Sequence, residues 1–160
     1  GELPKQKKFI LAVAPHTSNW DFVLGIASIL ALNLNVKFMG KKAIFIWPFK
    51  YLLYGLGGIA IDRTNNHGVV GQMVNAFNSQ EQLILGLAPE GTRSKTVEWK
   101  TGFLHIASKA KVPVLPVSLD YDKKEIKFHS PCDIGEDIPA ELQRIKNHFS
   151  SVCAKNPQAV

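Results

Sequence analysis

Residues 9–33 read FILAVAPHTSNWDFVLGIASILALN, and the reading of this stretch decides the fold. Phe9 to Ala14 is a short apolar run closed by Pro15, the pattern of a strand buried on both faces. Ser18 and Asn19 then offer N-cap side chains, and Asp21 follows Ser18 by three residues, as the acid of a capping box does. A helix is expected from there to about Asn33. It is apolar nearly all round, so it is either buried or turned toward lipid. A buried strand that passes through a short polar loop into a helix is the unit of an α/β sheet.

Working outward, the same alternation repeats. Asn35 to Met39 is a second strand, Phe45 to Tyr54 a second helix with Pro48 near its first turn, and Ile59 to Ile61 a third strand after the break at Gly57 and Gly58. Val69, Val70, Met73, Val74 and Phe77 recur at helical spacing up to Ser79. Leu83 to Ala88 is a strand ended by Pro89; Phe103, Leu104, Ile106, Ala107 and Ala110 form a helical face; Val114 to Leu119 is a strand. Asp122, Lys123 and Lys124 turn into an edge strand, Glu125 to Phe128, and Pro139 starts a last helix with Leu142, Ile145 and Phe149 on one face. The expected fold is α/β: one domain over residues 1–160, with a mostly parallel, mixed sheet flanked by helices.

Composition limits the partners. The chain has 160 residues, 46% of them apolar, with 19 Lys+Arg against 13 Asp+Glu and a net charge of +6, which excludes a disordered chain and a disulfide mini-protein. Residues 1–63 hold 8 basic and 3 acidic side chains, so most of the excess is local. Nucleic acid, an anionic membrane and a phosphorylated substrate are the anions this charge suits, and no nucleic-acid motif is present. Cys132 and Cys153 lack metal-ligand spacing, and a reduced, cytosolic setting is expected. The longest apolar stretch, Phe22 to Leu34, falls short of the roughly 20 residues that cross a bilayer. The chain begins at Gly1 rather than Met, which leaves room for a removed N-terminal piece that carried an anchor.

In parallel sheets, chemistry collects in loops beyond the carboxyl ends of the strands. Three such junctions carry titratable residues: Pro15-His16-Thr17-Ser18-Asn19-Trp20-Asp21, Ile61-Asp62-Arg63 and Pro89-Glu90-Gly91-Thr92-Arg93-Ser94. His16 and Asp21 are spaced so that a carboxylate in the first helical turn can hold one imidazole nitrogen and leave the other to take a proton from a hydroxyl. Spacing alone equally allows a histidine that fills the loop and an aspartate that caps the helix. No G-x-S-x-G elbow supplies a serine nucleophile. Gly86 to Arg93 lacks the lysine of a nucleotide-binding P-loop. Gly91 lets the backbone approach a ligand, and Arg63 and Arg93 carry forks suited to phosphate, although internal ion pairs, Arg93 with Glu90 among them, fit as well.

Taken together and in order, H-x-x-x-x-D at His16 and Asp21, Gly58-Ile59-Ala60-Ile61-Asp62-Arg63, Pro89-Glu90-Gly91-Thr92-Arg93-Ser94 and Val112-Pro113-Val114-Leu115-Pro116-Val117 resemble the four blocks of the glycerophospholipid acyltransferases, the lysophosphatidic acid acyltransferases and their relatives. Lys100-Thr101-Gly102-Phe103 adds to the resemblance, which spans roughly residues 10–120. Pro15, Ala60 and Ala88 depart from residues common in that family, and they bear on the acceptor more than on the chemistry.

The resemblance implies a glycerol-3-phosphate acyltransferase-like fold. It also implies transfer of a fatty acyl group from a thioester, acyl-CoA or acyl carrier protein, to a hydroxyl of a lysophospholipid such as 1-acyl-glycerol 3-phosphate. It makes His16 the general base and Asp21 its orienting partner, with no acyl-enzyme, no metal and no cofactor beyond the donor. Arg63, Glu90, Gly91, Thr92 and Arg93 would hold the phosphate, with a backbone N–H near Gly91 facing the oxyanion. A non-catalytic lipid- or phosphate-binding domain, and an acyltransferase for another acceptor, are the alternatives.

Phe38, Phe45, Trp47, Phe49, Tyr51 and Tyr54 lie among Lys37, Lys41, Lys42 and Lys50. That mixture suits the headgroup layer of an anionic bilayer, and a buried aromatic helix is the other reading. The expected location is peripheral, on the cytoplasmic face of a membrane.

Overall fold

The structure, a computed structural model, describes residues 4–61, 68–96 and 98–159. Six strands form one sheet: β1 Lys8–Ala14, β2 Val36–Lys41, β3 Gly58–Ile61, β4 Leu83–Leu87, β5 Val114–Asp120 and β6 Glu125–Phe128, in the order β3-β2-β4-β1-β5-β6. The first five in that order run parallel, and β6 pairs antiparallel with β5 at the edge. β1 is central, with Ile10 opposite Leu85 on β4 and Val114 on β5.

Because successive strand side chains point to opposite faces, β1 feeds two cores. Ile10 and Ala12 join Leu85, Val114 and the inner faces of α3 (Gly68–Ser79), α4 (Gly102–Ala110) and α5 (Ile138–Asn147). Phe9 and Leu11 join Val36, Ile84, Leu115 and Val117 on the other face, against Ile29 of α1 (Asn19–Ala31). The two faces are covered unequally. Asp21 is the only buried residue of α1, and α2 (Phe49–Gly55) has none.

The first strand–loop–helix unit forms as read, and the helix ends two residues earlier than expected. Asn33 takes a left-handed conformation (φ 51), and the Leu34 N–H returns to the Ile29 carbonyl at 2.9 Å, a stop that lies inside the apolar run. The second helix begins at Phe49, not Phe45. Pro48 disfavours helical backbone in the residue before it, and Lys42–Ile44 form a separate 3-10 turn. Phe45 instead lays its ring beside Gly40 and Gly58, where a Cβ would come within 2.7 Å and 2.9 Å of it. Phe149 lies beyond the end of α5, with its ring 5.4 Å from that of Trp99.

Candidate active site

The carboxyl ends of β1 and β4 are neighbours, and two of the three motif-bearing junctions meet there. After Ala14 the chain turns through Pro15, His16 and Thr17 to Ser18, the N-cap of α1. Ser18 Oγ accepts the Trp20 N–H at 3.2 Å, and Asp21 Oδ2 accepts the N–H groups of Thr17 and Ser18 at 2.7 Å each. Asp21 is thus the acid of a capping box, and the helix N-terminus favours its negative charge. The same Oδ2 lies 3.2 Å from His16 Nδ1. The two readings of Asp21 that spacing left open, a helix cap and a partner of the histidine, are both realised by one carboxylate.

The Asp21 side chain is 1% exposed and that of His16 is 26% exposed. Asp21 Oδ1 accepts the Tyr121 hydroxyl at 2.6 Å, so both carboxylate oxygens are engaged and the plane of the group is set. An anionic oxygen facing Nδ1 favours the tautomer with its proton there. That leaves Nε2 as the basic nitrogen, and among the described residues nothing is hydrogen-bonded to it.

From β4, Pro89 and Glu90 are buried, and Glu90 Oε2 accepts the backbone N–H of His16 at 2.7 Å. Burial pushes the Glu90 carboxyl above its ordinary value; the His16 N–H works against this, and the Asp21 charge adds to it. Gly91 sits at φ 67, donates its N–H to the Ala88 carbonyl at 3.1 Å, and has Lys100 lying over it where a Cβ would meet Cγ at 3.2 Å. The Gly91 N–H is therefore engaged within the loop itself. Thr92 and Arg93 are exposed, and among the described residues Arg93 forms no ion pair with Glu90 or any other acid. The third junction ends at Ile61 on the same sheet edge, separated from β4 by β2, and Arg63 lies outside the described residues.

Sequence reading missed two contributors. Tyr121 directly follows β5, the other neighbour of β1, so its place on the carboxyl edge follows from strand order and not from any motif. Asn156 reaches the loop from the chain's end, where its N–H donates to Thr17 Oγ1 at 3.2 Å and its Nδ2 to the Thr17 carbonyl at 2.8 Å.

Beside the site, a mostly apolar cavity of about 290 Å³ is lined by Leu24, Leu119, Tyr121 and Ile126, with Asp120, Lys124 and Glu125 also in its wall. A second, of about 70 Å³, lies under α1 between Gly25, Ile29, Gly86 and Val117 and shares Leu119 and Ile126 with the first. The outer surface of this face is apolar too. Trp20, Leu30, Phe49 and Tyr51 are exposed, as is Trp47 at 75%. Lys50 Nζ stands 5.0 Å from the Tyr51 ring centroid. A buried aromatic helix is therefore not what Phe49 to Gly55 forms. Among the described residues no group of His, Cys, Asp and Glu could hold a metal ion, and no helix is long and apolar enough to cross a membrane.

A mostly parallel α/β sheet whose carboxyl edge joins a histidine, a buried aspartate and an E-G-T-R loop defines the class of this protein. The chain belongs to the Acyltransferase family, whose model matches residues 2–120. It is 33% identical to the 1-acyl-sn-glycerol-3-phosphate acyltransferase of Escherichia coli (strain K12), over 79% of this chain and 54% of that protein. It is 25% identical to the enzyme of that name from Streptococcus pneumoniae (strain ATCC BAA-255 / R6), over 98% of this chain and 65% of the other. The crystal structure of the 1-acyl-sn-glycerophosphate (LPA) acyltransferase PlsC from Thermotoga maritima is similar in fold, with a TM-score of 0.61 and 25% identity over 95% of this chain and 70% of that one. The chain spans about half the length of the E. coli and Salmonella typhimurium relatives. The α/β fold with its mostly parallel, mixed sheet, and the family the sequence resembles, are both borne out.

Proposed function

We propose that this chain, acting as one domain, transfers a fatty acyl group from an acyl thioester to the free hydroxyl of 1-acyl-glycerol 3-phosphate. The observation that carries the reading is His16 Nδ1 at 3.2 Å from a buried, fully hydrogen-bonded Asp21, in a family whose relatives bear the name of that reaction. His16 Nε2 accepts the hydroxyl proton as the oxygen attacks the thioester carbonyl, so that a C–O bond forms. Asp21 stabilises the imidazolium. The tetrahedral intermediate collapses, the C–S bond breaks, and the proton passes from His16 to the departing thiolate. A thioester is already activated, so a base, positioning and charge neutralisation suffice.

Arg93 and Thr92, with Arg63, hold the acceptor's phosphate. Glu90 we assign differently from the sequence expectation: a carboxylate repels phosphate, and its engagement with the His16 N–H supports a role in holding the loop. The apolar space beside Tyr121 and under α1 suits an acyl chain. The donor is acyl-CoA or acyl carrier protein, and the exposed aromatics with Lys50 rest on the anionic cytoplasmic face of a membrane, where acceptor and product reside.

The test is acyl transfer from each donor to 1-acyl-glycerol 3-phosphate and to a panel of other lysophospholipids, with His16→Ala beside the wild type. Loss of about 10² to 10⁴ in rate is the expected result for removing a general base. Equal rates in the two proteins overturn the assignment of His16. Vesicle binding by the wild type without thioester consumption replaces the enzyme with a non-catalytic lipid-binding domain.

A further inference from the structure

Asp21 is held from two directions, and only one of them lies in the motif. Oδ2 is bound by Thr17 and Ser18 of its own loop and faces His16; Oδ1 is bound by Tyr121, 100 residues away in sequence. Tyr121 is one residue beyond the stretch that the family model matches. The carboxylate is almost fully buried, so no solvent molecule of the bulk substitutes for a missing donor at Oδ1. With Oδ1 released, only the bonds to Oδ2 hold the carboxylate, and its torsion about the Cβ–Cγ bond, and with it the approach of Oδ2 to Nδ1, is less tightly set. Tyr121 is itself fixed: its N–H donates to the Cys153 carbonyl at 2.9 Å, and Lys155 Nζ stands 5.9 Å from its ring centroid and 4.8 Å from that of Trp20.

We infer that Tyr121 is a positioning residue for acyl transfer: its hydroxyl fixes Asp21 through Oδ1 so that Oδ2 holds His16 in the orientation and tautomer of a base. Burial, followed by the hydrogen bond to Asp21 and its negative charge, pushes the phenol well above its ordinary value, so it remains a donor wherever the histidine can work. The inference rests on His16 being the general base and adds a residue through which that base is controlled. Tyr121 also contributes to the wall of the larger apolar cavity, so one side chain borders both the proposed acyl site and the dyad.

The experiment is a double-mutant cycle of Tyr121→Phe and Asp21→Asn, with kcat and KM measured for both substrates. Tyr121→Phe lowers kcat about tenfold and leaves both KM values within about twofold, as for loss of one hydrogen bond to a charged group. In the Asp21→Asn background the same substitution costs nothing further, because its effect runs through the carboxylate. Replacing Tyr121 with p-aminophenylalanine keeps the ring and a donor and restores kcat to within about threefold of wild type. This variant decides the matter should Phe impair folding. Wild-type kcat in Tyr121→Phe, the same loss with and without Asp21, or no rescue by the amino analogue overturns the inference. Full activity in His16→Ala defeats the general-base reading itself; an inactive His16→Ala beside an unimpaired Tyr121→Phe defeats only the role of Tyr121.

Discussion

At the scale of single residues, the site is governed by which polar atoms are buried together. Glu90 lies beside Asp21 with its proton affinity raised, yet it anchors the His16 backbone through one oxygen. Glu90→Gln retains an acceptor oxygen and removes the buried charge, so it keeps kcat within a few-fold and leaves KM for the phosphorylated acceptor unchanged. Glu90→Ala leaves the His16 N–H without its partner and costs about 1 to 3 kcal/mol of stability with a fall in kcat. Because the folded-state value lies above the ordinary 4.5, the native state binds this proton more tightly than the unfolded chain. The contribution of Glu90 to stability therefore declines as pH rises from 4.5 through its folded-state value. The melting temperature of Glu90→Gln relative to wild type rises across that window and then levels off; a difference that does not vary with pH contradicts the argument.

At the scale of elements, β1 and α1 were legible because each obeys one rule along its whole length, a short continuous apolar run and a capping box. The second helix forms, but its start, expected at Phe45, falls at Phe49, because Pro48 disfavours helical backbone at the position before it. The C-terminal segment showed no motif, and its part in the site became visible only in space. Asn156 makes two hydrogen bonds to Thr17, a buried residue between His16 and Ser18. Asn156→Ala is expected to cost about 1 to 2 kcal/mol in thermal unfolding and to lower kcat by roughly three- to tenfold as the loop loosens.

Beside Ser118, which pairs with Ala14 at the end of β1, the rings of His129 and His148 lie tilted against each other with centroids 4.9 Å apart, and His129 Nε2 meets Ser118 Oγ at 3.0 Å. Burial, and for His129 the charge of His148 and Lys127, holds both below the ordinary 6.5. Their contribution is fully present above 6.5 and is lost as pH falls through the folded-state values, so the melting temperature drops on acidification. His148→Gln flattens that slope; an unchanged slope counts against it.

At the scale of the whole molecule, most of the net charge and the exposed aromatic side chains fall in the same part of the chain. The net charge of +6 is concentrated in the first 63 residues, as are the exposed Trp20, Trp47, Phe49 and Tyr51. The double substitution Trp47→Ala, Phe49→Ala is expected to weaken partition onto anionic vesicles by about tenfold or more, given roughly 1.5 to 3 kcal/mol for burying each large side chain. Binding falls as salt is raised, and is weaker on neutral lipid. The amino-acid sequence by itself determined the alternation of strands and helices, the family, and the loop that joins His16 to Asp21, because each is encoded within a few neighbouring residues. The tertiary structure alone decided that β1 lies between β4 and β5, and with it that Glu90, Tyr121 and Asn156 close around the loop from 74, 100 and 139 residues away. Such contacts depend on strand order, which periodicity does not carry, since every strand of a parallel sheet has the same apolar pattern whichever neighbour it pairs with.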